Sequence, residues 1–257
     1  MSSSVLNSTL PLSQHALDYI AKSRDNALKA FRVLRETRTI SATGTINFIE
    51  RIPGEDKLIH LDYNGPWGDL EDVKLTVVGF DGTVSIGNKG RGGWVKLFQQ
   101  HPEITTVSHV HAPHLGAYAL AHKALPFLYV PVQRHRFVRE LPLYVDRRQP
   151  QVDFILEQLK REPELPGIVE ANGGSTVWGK KGILALAEFI LILEEGAYFQ
   201  VLAAALGGSQ PLGPGVLQQQ WRFSGLIPQS ATVDQDGTIH YAPASEPAAA
   251  EAAAARS

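Results

Sequence analysis

Two histidines separated by a single residue stand in the run Thr105-Thr106-Val107-Ser108-His109-Val110-His111-Ala112-Pro113. Residues two apart on a strand point to the same face, so a strand here sets the imidazoles of His109 and His111 side by side. Neutral imidazole ligates zinc and iron, and the pairing predicts one divalent ion (zinc, manganese or iron(II)) shared by His109 and His111; the alternative is a hydrogen-bonded pair with no ion. The chain has no cysteine. Disulfides, thiolate metal sites and cysteine nucleophiles are therefore excluded, and any metal must be held by nitrogen and oxygen. Two histidines hold an ion weakly, so a third group is expected. His114 lies in the helix that follows. His135 lies in Gln133-Arg134-His135-Arg136, where flanking guanidinium groups would keep its imidazole neutral, as suits a ligand or a general base. Glu170 shares a strand face with Ile168 and Asn172, and a carboxylate in an apolar strand needs a partner. That partner is either the ion, giving the two-histidine, one-carboxylate set of non-haem iron oxygenases, or a lysine such as Lys180 or Lys181.

The elements that would position these groups are legible from periodicity and turn residues. Ser13 caps an amphipathic helix running to about Arg38, with Leu17, Ile20, Ala27, Phe31 and Leu34 along one side. Short strands follow at Thr45 to Ile52, Lys57 to Tyr63, Val73 to Phe80 and Thr83 to Ile86, separated by Pro53-Gly54, Asn64-Gly65-Pro66 and Asp81-Gly82. A short helix, Trp94 to Gln100, leads into the strand that carries the two histidines, and Pro113 opens a helix to Ala124. Phe127 to Val132 is expected to be a strand, Gln149 to Arg161 a helix, and Gly167 to Ala171 and Ser175 to Trp178 a pair of strands around Asn172-Gly173-Gly174. Gly182 to Leu206 forms a long helix, apolar nearly all round, that must be buried in the core or against another subunit.

With 257 residues, 44% of them hydrophobic, the chain can bury a substantial core. The expected organisation is a flexible N-terminus over 1–12, one α/β domain over 13–208, and an extension over 209–257 that is loose after Gly208 and mobile at its alanine-rich end. A formal charge of -2 leaves no basic excess to attract nucleic acid or an anionic membrane surface. No charge-free apolar stretch reaches membrane-spanning length and no basic, apolar leader opens the chain, so a cytoplasmic protein is expected.

Three pieces carry a resemblance: Pro102-Glu103-Ile104 through Pro113, Ala124-Leu125-Pro126, and Asn172-Gly173-Gly174-Ser175-Thr176-Val177-Trp178-Gly179-Lys180. In this order, over roughly residues 14 to 207, the chain resembles the class II aldolase/adducin family. The resemblance implies an αβα sandwich around a mostly antiparallel central sheet, a ring-like homotetramer and a divalent metal near subunit boundaries. It also implies a phosphate-binding loop at Thr43-Gly44-Thr45-Ile46-Asn47, hence Thr43 and Gly44 as substrate contacts, and an acid/base residue in the region of His135. Where the aldolases carry a Ser-Ser-Glu segment, this chain has Gly87-Asn88-Lys89-Gly90-Arg91-Gly92-Gly93. Its glycines would let backbone N–H groups approach an anion that Lys89 and Arg91 neutralise. Tyr63, Trp67 and Trp94 flank that region as a candidate aromatic wall. The aldolases' third histidine is absent from Asn172-Gly173-Gly174, and their glutamate is absent too.

The expected function is a metal-dependent lyase acting by decarboxylation or retro-aldol cleavage on a small carboxylated or phosphorylated carbonyl compound, with His135 and Glu170 as catalytic groups. Loss of two aldolase ligands leaves two rivals: a non-haem iron oxidative decarboxylase, and a catalytically silent adducin-like assembly module.

Overall fold

The computed structural model describes residues 12–69, 71–88 and 92–242. Three expectations lie outside them: the flexible first residues, the cationic pair Lys89 and Arg91, and the mobile alanine-rich end.

Helix α1 (Gln14–Glu36) precedes a meander of strands β1 (Asn47–Arg51), β2 (Lys57–Asp62), β3 (Lys74–Gly79) and β4 (Val84–Ile86). Helix α2 (Val95–Gln100), strand β5 (Thr106–Val110) and helix α3 (Pro113–Leu120) follow, then β6 (Leu125–Pro126), α4 (Val130–His135), β7 (Glu140–Leu141) and β8 (Leu143–Tyr144). Helix α5 (Gln151–Arg161), strands β9 (Gly167–Glu170) and β10 (Ser175–Gly179) and helix α6 (Ile183–Ala203) come next. Helix α7 (Val216–Phe223) and strands β11 (Ala231–Val233) and β12 (Ile239–Tyr241) end the described chain.

Among the described residues, eight strands form one sheet in the order β4-β3-β2-β1-β5-β10-β9-β8. Every pairing is antiparallel except β8 with β9. Period-2 alternation divides the strands between two layers. Phe48, Ile59, Val77, Val110, Val169 and Val177 face α1, α3 and α6, whereas Ile49, Leu58, Val107, Ile168 and Trp178 face α2 and α5. The result is the expected αβα sandwich around a mostly antiparallel sheet.

The two helical layers differ in extent, and that difference makes the site. On one face α1, α3 and α6 cover the sheet. On the other, α2 and α5 cover only its apolar end, and the same face continues as Asn47, His60, Asp62, Lys74, His109 and Glu170, which line an open cleft of about 1340 Å³.

Local choices agree with the sequence in most places. The Ser13 hydroxyl accepts the Ala16 N–H at 3.1 Å and starts α1. Helix α6 is long and apolar enough to cross a membrane by length and composition. It is nonetheless punctuated by Glu188, Glu194 and Glu195, and its first four turns bury Leu186, Phe189, Ile190 and Leu193 in the core. Its last turns leave Phe199 and Leu202 exposed.

The strand expected at Phe127 to Val132 is instead α4. Pro131 fits a helix's first turn because it has no N–H to lose. Gly196 of α6 admits this helix closely, since a Cβ there would lie 3.1 Å from Val132 Cγ2 and 3.2 Å from Tyr129 Cβ. Packing thus overrides the β-branched signal. The segment after Gly208, expected to be loose, holds α7 and the β11–β12 hairpin. Trp221 is fully buried there against Phe137, with ring centroids 4.9 Å apart, and its Nε1–H donates to the Arg136 carbonyl at 3.2 Å. Pro211 and Pro214 lie between α6 and α7, and Pro228 between α7 and β11.

Candidate metal centre

His109 pairs with Thr176 across β5 and β10, and its backbone N–H donates to Asn47 Oδ1 at 3.2 Å. His111 lies just past the strand, held by its own N–H to the Thr45 carbonyl (2.9 Å) and by its carbonyl, which accepts from the Ser41 N–H (2.7 Å). The two imidazoles come out on one face, as the alternation requires, with centroids 5.1 Å apart and planes at 69°. Gly174 makes room for them. A Cβ at that position would stand 2.1 Å from the Val110 carbonyl oxygen and 2.6 Å from His111 Cδ2.

Glu170 is 4% exposed and faces His109. Its Oε1 accepts from His109 Nδ1 at 2.9 Å, from the Thr176 hydroxyl at 2.6 Å and from Gln151 Nε2 at 2.8 Å. Burial pushes this carboxyl up, but the bond and charge of His109, the Thr176 bond and the Arg147 charge outweigh it, and the net shift is downward. An ionised carboxylate can only accept, so Nδ1 of His109 must carry a proton. Its Nε2 then has a free lone pair whenever the ring is neutral. This is the carboxylate–histidine arrangement that orients metal-bound imidazoles. Burial, and then repulsion from His109, push His111 below the ordinary histidine range, against the pull of Glu170. His111 is therefore neutral at neutral pH and free to donate a lone pair.

These features fit a divalent ion bound to His109 and His111. No group of three His, Asp or Glu side chains suited to an ion occurs among the described residues. Glu170 stands beside His109 as its hydrogen-bond partner and not as the partner of a lysine; Lys180 pairs instead with Glu164 at 3.4 Å.

The remaining expected residues divide. Thr43 and Gly44 line the same cleft as the histidines. The Thr43 hydroxyl bonds the Ser41 hydroxyl at 3.0 Å, and Gly44, at φ +68°, lies where a Cβ would meet Tyr63 Cε1 at 2.7 Å. Tyr63 and Trp94 also line the cleft, whereas Trp67 is 98% exposed. His135 is not brought to the pair within this chain. Helix α4 directs it into a second cleft, of about 300 Å³, with Glu103, Lys181 and Glu188. Burial and then the Arg136 charge lower its pKa; Arg134 is bonded to Gln220 at 2.7 Å. His114 is also elsewhere, its Nδ1 2.7 Å from Glu194 Oε1. Glu194 accepts the backbone N–H groups of His114 and Leu115 as well, at 2.8 and 2.9 Å, which caps α3 directly behind the histidine strand.

Three residues at the site were not singled out from sequence. Thr176 is found only through strand register, and Gln151 only through the docking of α5. His122 reaches the cleft rim with Nε2 2.7 Å from Asn172 Oδ1. Both residues hold left-handed backbone, φ +52° and +56°, a conformation other than glycine seldom adopts. This turn ends α3 at Leu120, short of the expected Ala124.

A family model for the class II aldolase and adducin N-terminal domain matches residues 27–201. A sequence search of curated proteins finds no match. Among solved structures, an L-fuculose 1-phosphate aldolase superposes with a TM-score of 0.67 at 14% identity, covering 83% of this chain and 100% of its own. The L-fuculose 1-phosphate aldolase from Glaciozyma antarctica PI12 gives 0.60 at 17% identity, over 84% and 85%. YgbL from Escherichia coli gives 0.62 at 17% identity, over 79% and 99%. At these identities the likeness concerns the fold.

Proposed function

For this chain, which belongs to the class II aldolase and adducin family, we propose a metal-dependent lyase that breaks a carbon–carbon bond in a small carboxylated or phosphorylated carbonyl compound. One observation carries the reading: His109 and His111 stand side by side in the large cleft, and a buried carboxylate holds the Nδ1 proton of His109 so that Nε2 is left to donate. His109 and His111 would hold the ion, zinc, manganese or iron(II). When bound, it supplies positive charge beside a substrate carbonyl oxygen, which lowers the cost of the negative charge that develops there as the bond breaks.

The chain's own groups do the rest. Glu170, with Thr176 and Gln151, positions His109. Burial keeps His111 unprotonated near neutral pH. The Thr43-Gly44 wall contacts the substrate. The exposed end of α6, with Phe199 and Leu202, supplies the apolar contact for a homo-oligomer, a tetramer in this proposal.

The test is turnover by untagged protein reconstituted with zinc, manganese or iron(II), using β-hydroxy acids, β-keto acids and sugar phosphates as substrates. Carbonyl product and carbon dioxide are followed with and without oxygen. Cleavage independent of oxygen supports the lyase. Turnover only with iron and oxygen would replace it with the oxidative decarboxylase, and a protein that neither binds an ion nor turns over any substrate would be the assembly module.

A further inference from the structure

Arg147 lies in the turn between β8 and α5, and its Nη2 donates to the Ala171 carbonyl at 2.8 Å. That bond brings the guanidinium against the β9–β10 turn, so that a Cβ on Gly173 would lie 3.0 Å from Nη2. Arg147, Asn172 and Gly173 line the same cleft as His109 and His111. Where a side chain from position 173 would enter the cleft there is instead a cation carried in from another element.

Among the described residues this cation makes no salt bridge. Its neighbour Arg148 is paired with Asp146 at 2.8 Å, but among the described residues no carboxylate lies within 4 Å of the Arg147 guanidinium. Glu170 feels the charge but makes no salt bridge to Arg147; its Oε1 accepts from His109, Thr176 and Gln151. A guanidinium offers five N–H donors in a planar fork that matches an oxyanion. Ala171 uses one of them.

A guanidinium with spare donors, in the cleft that also holds two imidazoles, attracts an anion. We propose that Arg147 is the oxyanion receptor of this cleft: a substrate carboxylate or phosphate binds between its fork and the histidine pair, and the oxyanion and the divalent ion strengthen each other's binding. The cooperative part rests on the metal reading above; the receptor role does not. Because coupling between two ligands is reciprocal, it can be read from either one.

The experiment is calorimetric titration of manganese(II) into untagged protein, alone and with pyruvate or inorganic phosphate, for wild type, Arg147→Gln and Arg147→Lys. Each oxyanion is also titrated without metal. A charge-assisted fork contact corresponds to roughly a tenfold or larger effect on affinity. Wild type should bind manganese about tenfold more tightly with the preferred oxyanion present; a larger gain with pyruvate identifies a carboxylate, with phosphate a phosphoryl group. Arg147→Gln should bind manganese alone as well as or better than wild type and lose the gain. Arg147→Lys, which keeps charge and the turn but not the fork, should retain only part of it, and serves as the test if the glutamine variant misfolds. An undiminished gain in Arg147→Gln overturns the proposal. Manganese binding with no gain from either oxyanion in wild type also overturns it and leaves the metal reading intact. Oxyanion binding that needs Arg147 in a protein that takes up no manganese supports the receptor role and refutes the metal reading.

Discussion

Replacing Glu170 with glutamine separates the orientation of His109 from the fold that carries it. The side chain is 4% exposed and its Oε1 takes three donors, from His109, Thr176 and Gln151. Glutamine keeps the volume and one acceptor but removes the negative charge that fixes the Nδ1 proton and raises the basicity of Nε2. Loss of such a partner costs about 10- to 100-fold in metal affinity, or about 1.4 to 2.7 kcal/mol. The effect on the metal-free fold should be smaller. Charge-assisted bonds of about 1.5 to 3 kcal/mol become neutral ones of about 0.5 to 1.5 kcal/mol, and the relieved cost of burying a charge offsets part of the difference. The pH dependence has a definite sign. The folded-state pKa of Glu170 is depressed, so its stabilisation is present above the ordinary carboxylate range and is lost as pH falls through the lower folded value. Glu170→Gln should therefore flatten the acid limb of the stability curve. The assay is zinc or manganese titration at pH 7 beside urea unfolding of the metal-free protein from pH 3 to pH 7. A variant that folds normally and binds metal with wild-type affinity would refute the orienting role.

Gly174→Ala should destabilise the protein by about 1 to 3 kcal/mol in urea unfolding and weaken metal uptake, because the new Cβ would press on the Val110 carbonyl and His111. Trp221→Ala should cost about 3 to 5 kcal/mol and expose the segment after residue 208 to protease, since this fully buried ring organises α7 against Phe137. The double change Phe199→Glu and Leu202→Glu should convert the oligomer to monomer by light scattering while leaving the circular dichroism spectrum intact; a wild-type monomer at micromolar concentration would contradict the proposed assembly.

The histidine pair was legible because its geometry is local: alternation on one strand is enough to place His109 beside His111. Glu170 was legible as a buried charge in need of a partner, but the partner was not. That it is His109, reached across β9, β10 and β5, follows from register, and no run of residues encodes register by itself. Thr176 was missed for the same reason, and Gln151 because only the docking of α5 brings it to Glu170. Arg147 lies in Asp146-Arg147-Arg148-Gln149, which reads as a solvated charged turn until Ala171 and Gly173 are seen beside it. The misread at Phe127 to Val132 has a local cause, valines that favour strands, and a distant remedy, the Gly196 notch in α6 that accepts a proline-started helix. His135 illustrates the opposite limit: burial and then Arg136 depress its pKa, but the chain's course takes it to another cleft.

The proposed binding of one divalent ion by His109 and His111 together is open to direct measurement. It is tested most directly by measuring metal content and affinity of protein purified without a polyhistidine tag, under anaerobic conditions, for wild type, His109→Ala, His111→Ala and the double variant. About one ion per chain is expected in wild type, with at least a tenfold loss of affinity in each single variant. No specific uptake is expected in the double variant, with circular dichroism spectra unchanged throughout. Full occupancy in the double variant would contradict the proposed binding.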